Sequence, residues 1–245
     1  MVQYTYLGQC GFLLDFDGTR IMTDPHFSSY GPDDMRSYPP PCTLMDAAPE
    51  AVLISHSHVD HLDPKTIAPY VAAGGQAAFY APAPECRLLQ DLGVANWRAA
   101  RAEQPFSVGP VTVTPIPCAH MELHPDEHGD YHELSYLLSG CGKTVFFGGD
   151  MSLYPGLLER LQRQPIDLLL LPVNGWDAER LSQGLIGNID HRQAAQLAAQ
   201  LGAPFCPMHH DVYAFNGCPI GQVAAAAEEY GAVLRPAALS TPQPV

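Results

Sequence analysis

"ISHSHVDHLD", residues 54–63, closes the short apolar run Ala51–Ile54 and puts three histidines and two aspartates into positions 56–63, in a chain with only 11 histidines. His56 and His58 stand two apart at the C-terminal end of a strand-like segment. If extended backbone persists there, their rings project to one side and can share a metal. Asp60 and His61 follow where the chain must turn, within reach of a second ion. Imidazole with carboxylate suits Zn, Mn or Fe, and binding needs neutral imidazoles and ionised carboxylates. One histidine here would read as a solvated turn residue; H-x-H-x-D-H directly after a strand reads as half of a metal site. Pro64 suits a first helical position and Asp63 the cap before it, so a helix follows and ends at Gly74-Gly75.

Composition sets the frame around this stretch. The 245 residues are ample for a buried core. A 47% hydrophobic and 16% charged content excludes overall disorder. Twelve Lys and Arg oppose 26 Asp and Glu, a net charge of -14, which argues against nucleic acid and against an anionic membrane surface as partners. A small anionic substrate is compatible, because a metal pair dominates its local potential. Met1–Tyr6 carries no secretory pattern, and no apolar run approaches the roughly 20 residues of a membrane span. The seven cysteines are odd in number and lack C-x-x-C, so small buried hydrophobes in a cytoplasmic protein are expected. The oligomeric state stays open, a homo-oligomer included.

Along the chain, Val2–Leu7, Phe12–Phe16 and Arg20–Thr23 read as a β-meander with Asp17-Gly18 as its tight turn. Residues 31–49, rich in proline, read as a surface loop. A strand over 77–80 and a helix over 83–92 follow, and β structure resumes over Val108–Ile116. Leu134–Leu138 and Thr144–Phe147 form a hairpin across Ser139–Gly142, and 155–163 is helical. Ile166–Leu171 is continuously apolar, as in a strand covered on both faces. Asp190 caps a helix with Gln193 as its capping-box partner and Gly202 as its stop. Phe205–Met208 is a strand, 219–231 a final helix, and the tail "LSTPQPV" frays. The pattern is layered α/β, with no linker dividing the chain 1–245.

Two open metal sites need more than four donors, and more stand at strand ends. "PIPCAH" ends at His120, "VFFGGD" at Asp150, and "PFCPMHHD" offers His209 and His210. Singly each reads as a turn or surface residue; jointly they read as ligands.

This ordered set, HSHVDH, His120, Asp150 and His209, resembles the metallo-β-lactamase superfamily over nearly the whole chain. The resemblance implies a four-layer αββα sandwich of two similar halves, roughly 1–133 and 134–245, with two divalent ions at one edge of the sheets. It implies His56, His58 and His120 on the first ion, Asp60, His61 and His209 on the second, and Asp150 bridging. It prefers His209 to His210, and it makes Asp24, in "MTDP", an aspartate that orients a ligand. "YLGQCGFLLDFDGTRIMTDP", "CAHMELH", "GGDMSLYPGL" and the stretch from Leu171 to Asn216 are similar to the bacterial L-ascorbate-6-phosphate lactonase group, which opens a sugar-acid lactone and has been linked to manganese as well as zinc. Residues 31–49 and "MELHPDEHGDYHE" depart from that group.

The expected cofactors are therefore two divalent ions, Zn or Mn, with Fe also suitable. Ions about 3.5–4 Å apart bring the pKa of a shared water to about 7. Asp60 or Asp150 would take the proton. Arg180 and Asn188 lie in the distinctive stretch and could hold a phosphate or carboxylate, although a surface ion pair and a turn residue describe them equally well; His210 is a third candidate contact. His124, His128 and His132 read as solvated. No nucleotide loop or serine elbow is present. The favoured function is a metal-dependent hydrolase of a small anionic lactone or ester. A phosphodiesterase on the same scaffold and a non-catalytic ligand-binding member of the fold are the alternatives.

Overall fold

Apolar side chains on alternate positions build the first layer. The computed structural model describes residues 1–29 and 35–245. Strands β1 (Val2–Gly8), β2 (Gly11–Phe16) and β3 (Thr19–Thr23) form the antiparallel meander. Its turn puts Asp17 and Gly18 at φ 55 and 103, the left-handed pair that a two-residue hairpin needs. β4 (Ala51–Leu53), β5 (Ala78–Pro82) and β6 (Trp97–Ala100) extend the sheet in parallel.

The second sheet holds β7 (Phe106–Val108), β8 (Val111–Pro117), β9 (Leu134–Gly140), β10 (Lys143–Phe147), β11 (Leu168–Pro172) and β12 (Phe205–Met208), in the order β12-β11-β10-β9-β8-β7. β11 runs parallel to both neighbours and is buried along its whole length, as its unbroken apolar run requires.

Three apolar clusters hold four layers together. Tyr4, Phe12, Leu14 and Leu53 of the first sheet meet Val113, Tyr136, Phe147 and Leu170 of the second between the sheets. Val52, Ile54 and Phe79 point the other way, onto Ile67 and Tyr70 of α2 (Pro64–Ala72) and Leu89 of α3 (Cys86–Asp91). Phe146, Leu169 and Leu171 pack on α4 (Leu157–Leu161), α6 (His191–Leu201) and α7 (Ile220–Tyr230). The architecture is the αββα sandwich. The Asp63 cap, the Asp190–Gln193 capping box and the Gly202 stop all stand as expected.

Several local expectations change. Residues 31–34 of the proline-rich stretch lie outside the described residues, and the remainder contains a short helix, α1 (Leu44–Ala47), whose capping box pairs Thr43 with Asp46. β6 and β7 escaped notice because both are short and half exposed. The tail does not fray: Gln243–Pro244 adds a strand beside β1. The sheets change between β6 and β7, and this last strand returns to the first sheet.

Candidate metal centre

β1 and β3 run the same way because each is antiparallel to β2, and β4 is parallel to β3. Likewise β8, β10, β11 and β12 share one direction. The C-terminal ends of these strands therefore open on one edge of the sandwich, carrying Gln9 and Cys10, Asp24, the 54–63 turn, His120, Asp150 and His209. The sheets are tied there by Leu134 donating its N–H to Ser55 and Tyr136 donating its hydroxyl to Ile54.

Extended backbone does not carry the two leading histidines, because β4 ends at Leu53. A turn places them instead, with His61 and Leu62 both donating their backbone N–H to the carbonyl of His58. The rings of His56 and His58 lie 4.5 Å apart, and His120 lies 5.2 and 5.0 Å from them. One donor atom each from His56, His58, His120 and Asp150 falls within 4.8 Å of the others, as do donors of Asp60, His61 and His209. Asp150 stands between the groups, its Oδ1 3.4 Å from His61 and its Oδ2 3.5 Å from His209 and 3.8 Å from His120.

Asp24 is fully buried and supports this arrangement. Its carboxylate accepts from His61 Nδ1 at 2.6 Å, from Ser55 Oγ at 2.6 Å and from the Ser55 N–H at 2.7 Å. Holding a proton on Nδ1 leaves Nε2 of His61 as the free donor, which is how an outer carboxylate sets the tautomer of a ligand. Nε2 of His56 and Nε2 of His61 are buried without a hydrogen-bond partner, a costly state unless another group completes them. A divalent cation suits these two nitrogens in chemistry and in donor type. His209 sits at φ 56 and Asp24 at φ 31, left-handed conformations that tight packing imposes at functional positions.

Burial holds His56 well below its usual pKa and lowers His120 to about 4, so the first group is ready as neutral imidazole. Burial also opposes charge on His61 and His209, but Asp150 and Asp60 outweigh it; His61 rises well above its usual range and His209 to about 10. Both rings are thus protonated at neutral pH in the metal-free protein, and a cation must displace those protons. Metal uptake at pH 7 is expected to release at least one proton per chain, and affinity is expected to fall as pH drops. Indicator titration in weak buffer checks this; uptake without acidification would contradict the charge state.

Geometry separates the two adjacent histidines. His209 joins Asp60 at 3.3 Å, whereas His210 stacks on Tyr6 with ring centroids 5.9 Å apart. Arg180, in α5 (Ala178–Ser182), donates to the carbonyls of Asn174 at 2.5 Å and Gly217 at 3.4 Å and pairs with Asp177. Asn188 is buried and donates to Asn174. None of these three is among the residues bounding the 330 Å³ cavity above the clusters, which His58, Val59, Asp60, His120, Asp150, Leu185, Ile186, His209 and Asn216 help to form. His132 pairs with Glu85 at 2.6 Å.

Two residues received no role from the sequence. The side-chain amide of Gln9 donates to Asp60 at 2.8 Å and lies 3.0 Å from Nε2 of His209. Cys10 is fully buried with its Sγ 3.7 Å from Asp150. The available signal was two polar side chains between Gly8 and Gly11 at the end of an apolar strand, a pattern that any tight turn also shows.

A sequence profile described as a beta-lactamase superfamily domain matches residues 19–210. An uncharacterised protein of Mycobacterium tuberculosis is 30% identical over 182 residues, 71% of this chain and 49% of its own length, so the chain spans about half of that relative. A UPF0173 metal-dependent hydrolase of Opitutus terrae is 25% identical over 186 residues, covering 70% of this chain and 72% of its own. Among solved structures, Igni18, a metallo hydrolase of Ignicoccus hospitalis, superposes with a TM-score of 0.72 at 19% identity, covering 100% of this chain and 99% of its own. The chain belongs to the metallo-β-lactamase superfamily.

Proposed function

We propose that this superfamily member hydrolyses a small anionic lactone or ester, with phosphorylated sugar-acid lactones such as L-ascorbate 6-phosphate as its substrate class. The observation that carries this reading is the convergence of seven donors, His56, His58, Asp60, His61, His120, Asp150 and His209, all but His56 and His61 lining one open cavity. Two divalent ions held there, Zn or Mn with Fe also fitting the donors, would lower the pKa of water and polarise the oxygen of the bond under attack. His56, His58 and His120 would hold one ion, Asp60, His61 and His209 the other, with Asp150 shared. Asp60 and Asp150 face the cavity and are positioned to accept the proton released as water attacks.

The stretch from Leu171 to Asn216, similar to the lactonase group, supplies Gly184, Leu185, Ile186 and Asn216 to one cavity wall. That overlap supports a sugar-acid lactone. No Lys or Arg lines the cavity among the described residues, so a substrate anion would be met by the cations themselves. No helix of the described residues is long and apolar enough to cross a membrane; action on a cytoplasmic metabolite, apart from nucleic acid, belongs to the same proposal.

A screen of phosphorylated sugar lactones, simple lactones and bis-p-nitrophenyl phosphate, with Zn or Mn supplied, tests the substrate class. Faster turnover of the phosphodiester than of every lactone would overturn it. Arg180 enters as the clamp between the cavity wall and the Gly217 loop. Arg180→Ala is expected to raise KM several-fold for charged and neutral substrates alike, because the wall loosens. A KM change confined to anions would instead place the guanidinium on the substrate.

A further inference from the structure

We propose that Cys10 supplies a sulfur donor to the second cation, making that position softer than the one held by His56, His58 and His120. The inference rests on the two-cation reading above and adds a ligand to it.

The β1–β2 turn carries Cys10 into the centre with its side chain shielded from solvent. Its Sγ lies within 4.8 Å of donor atoms of both His61 and Asp150. The measured edges are 3.7 Å from sulfur to Asp150 Oδ1 and 3.4 Å from that oxygen to His61 Nε2. A five-coordinate cation with bonds of about 2.3 Å to sulfur and about 2.0–2.1 Å to nitrogen or oxygen has edges between neighbouring donors of roughly 2.9–3.8 Å. Both of these edges fall in that range, and the third, from sulfur to a ring nitrogen of His61, is within 4.8 Å. Independently, His61 Nε2 is fully buried without a hydrogen-bond partner and belongs to this same triad.

Packing explains why sulfur stays there. Cys10 O accepts from Thr23 Oγ1 at 2.9 Å, and the same hydroxyl oxygen accepts from the Phe12 N–H at 3.0 Å, so the turn is fixed on both sides of Cys10. The other thiol nearby, Cys118, is spent on the carbonyls of Asp150 and Gly148 at 3.2 and 3.6 Å. The chemistry balances simply: the thiol proton passes to water as the metal–sulfur bond forms. A thiolate favours Zn, Cd and Co over oxygen-preferring Mn, so the two positions should differ in metal preference.

Anaerobic cobalt titration of the metal-free full chain tests this, read by absorption rather than turnover. Visible ligand-field bands report cobalt on nitrogen and oxygen donors; a near-ultraviolet sulfur-to-cobalt charge-transfer band reports the thiolate. One sulfur per chain is expected in that band, absent from Cys10→Ser and Cys10→Ala while the visible bands persist. Visible bands without the charge-transfer band in the parent would overturn the sulfur ligand and leave the hydrolase reading intact. A charge-transfer band that survives both substitutions would overturn it equally. Failure to bind cobalt at all would overturn both readings. The parent spectrum decides even if a variant fails to fold.

Discussion

Asp150→Ala is expected to lower kcat by at least about 1,000-fold, or about 4 kcal/mol of barrier, with the far-ultraviolet circular dichroism unchanged. Loss of a partner outside the ligand set typically costs roughly 10–100-fold; Asp150 should exceed that because one carboxylate serves both donor groups. Its Oδ1 faces His61, and its Oδ2 faces His209 and His120. Removing it separates the two donor groups and takes away the charge that lies against all three rings. The backbone has reason to survive, since Gly148 keeps its hydrogen bond to the Leu170 carbonyl and Ser152 its bond to Ala119. Metal content and single-turnover rates check the result. Turnover within roughly tenfold of the parent, below the usual cost of even an outer partner, would remove Asp150 from the shared position.

Asp24→Ala is expected to act on stability and metal affinity together. The substitution strands three donors in a site with no access to water: His61 Nδ1, Ser55 Oγ and the Ser55 N–H. Each orphaned donor costs about 1–3 kcal/mol, so the metal-free protein should lose about 3–9 kcal/mol in urea unfolding. Metal affinity should fall roughly 10–100-fold as His61 loses its fixed tautomer. Asp24→Asn keeps an acceptor of the same shape, so it should recover part of the stability and little of the affinity. Equal affinity in parent and Asp24→Ala, measured against a competing chelator, would show that His61 is oriented by something else.

Much of this was legible in the sequence because it depends on local patterns. Strand periodicity, the Asp63 and Asp190 caps and the Asp17-Gly18 turn are short-range devices, and each formed where the residues indicated. The candidate ligands were legible because an apolar strand ending in His or Asp is unusual four times over. β6, β7 and the C-terminal strand were not legible, since a half-exposed edge segment has little pattern of its own and becomes a strand only when a neighbour offers its ladder.

The inner environment of each donor was illegible for a related reason. Arg180 and Asn188 have the chemistry of anion ligands, and the folding of residues 174–188 onto themselves and, for Arg180, onto Gly217 turns them to Asn174 and Gly217 instead. Gln9 and Cys10 gain their meaning from Asp60, Asp150 and His209, which lie 51, 140 and 200 positions away.

What the sequence by itself determined is the class of chemistry and the layered fold: donor types, their place after strands, and the hydrophobic periods that must pack as helices on sheets. The tertiary structure decided which donors meet. Parallel β8, β10, β11 and β12 align their ends on the edge reached by β1, β3 and β4. That alignment selects His209 over His210, seats Asp24 behind His61 and brings Cys10 against Asp150. The physical reason is range: periodicity and capping act within a few residues, whereas the meeting of donors depends on how two sheets bury their inner faces against each other.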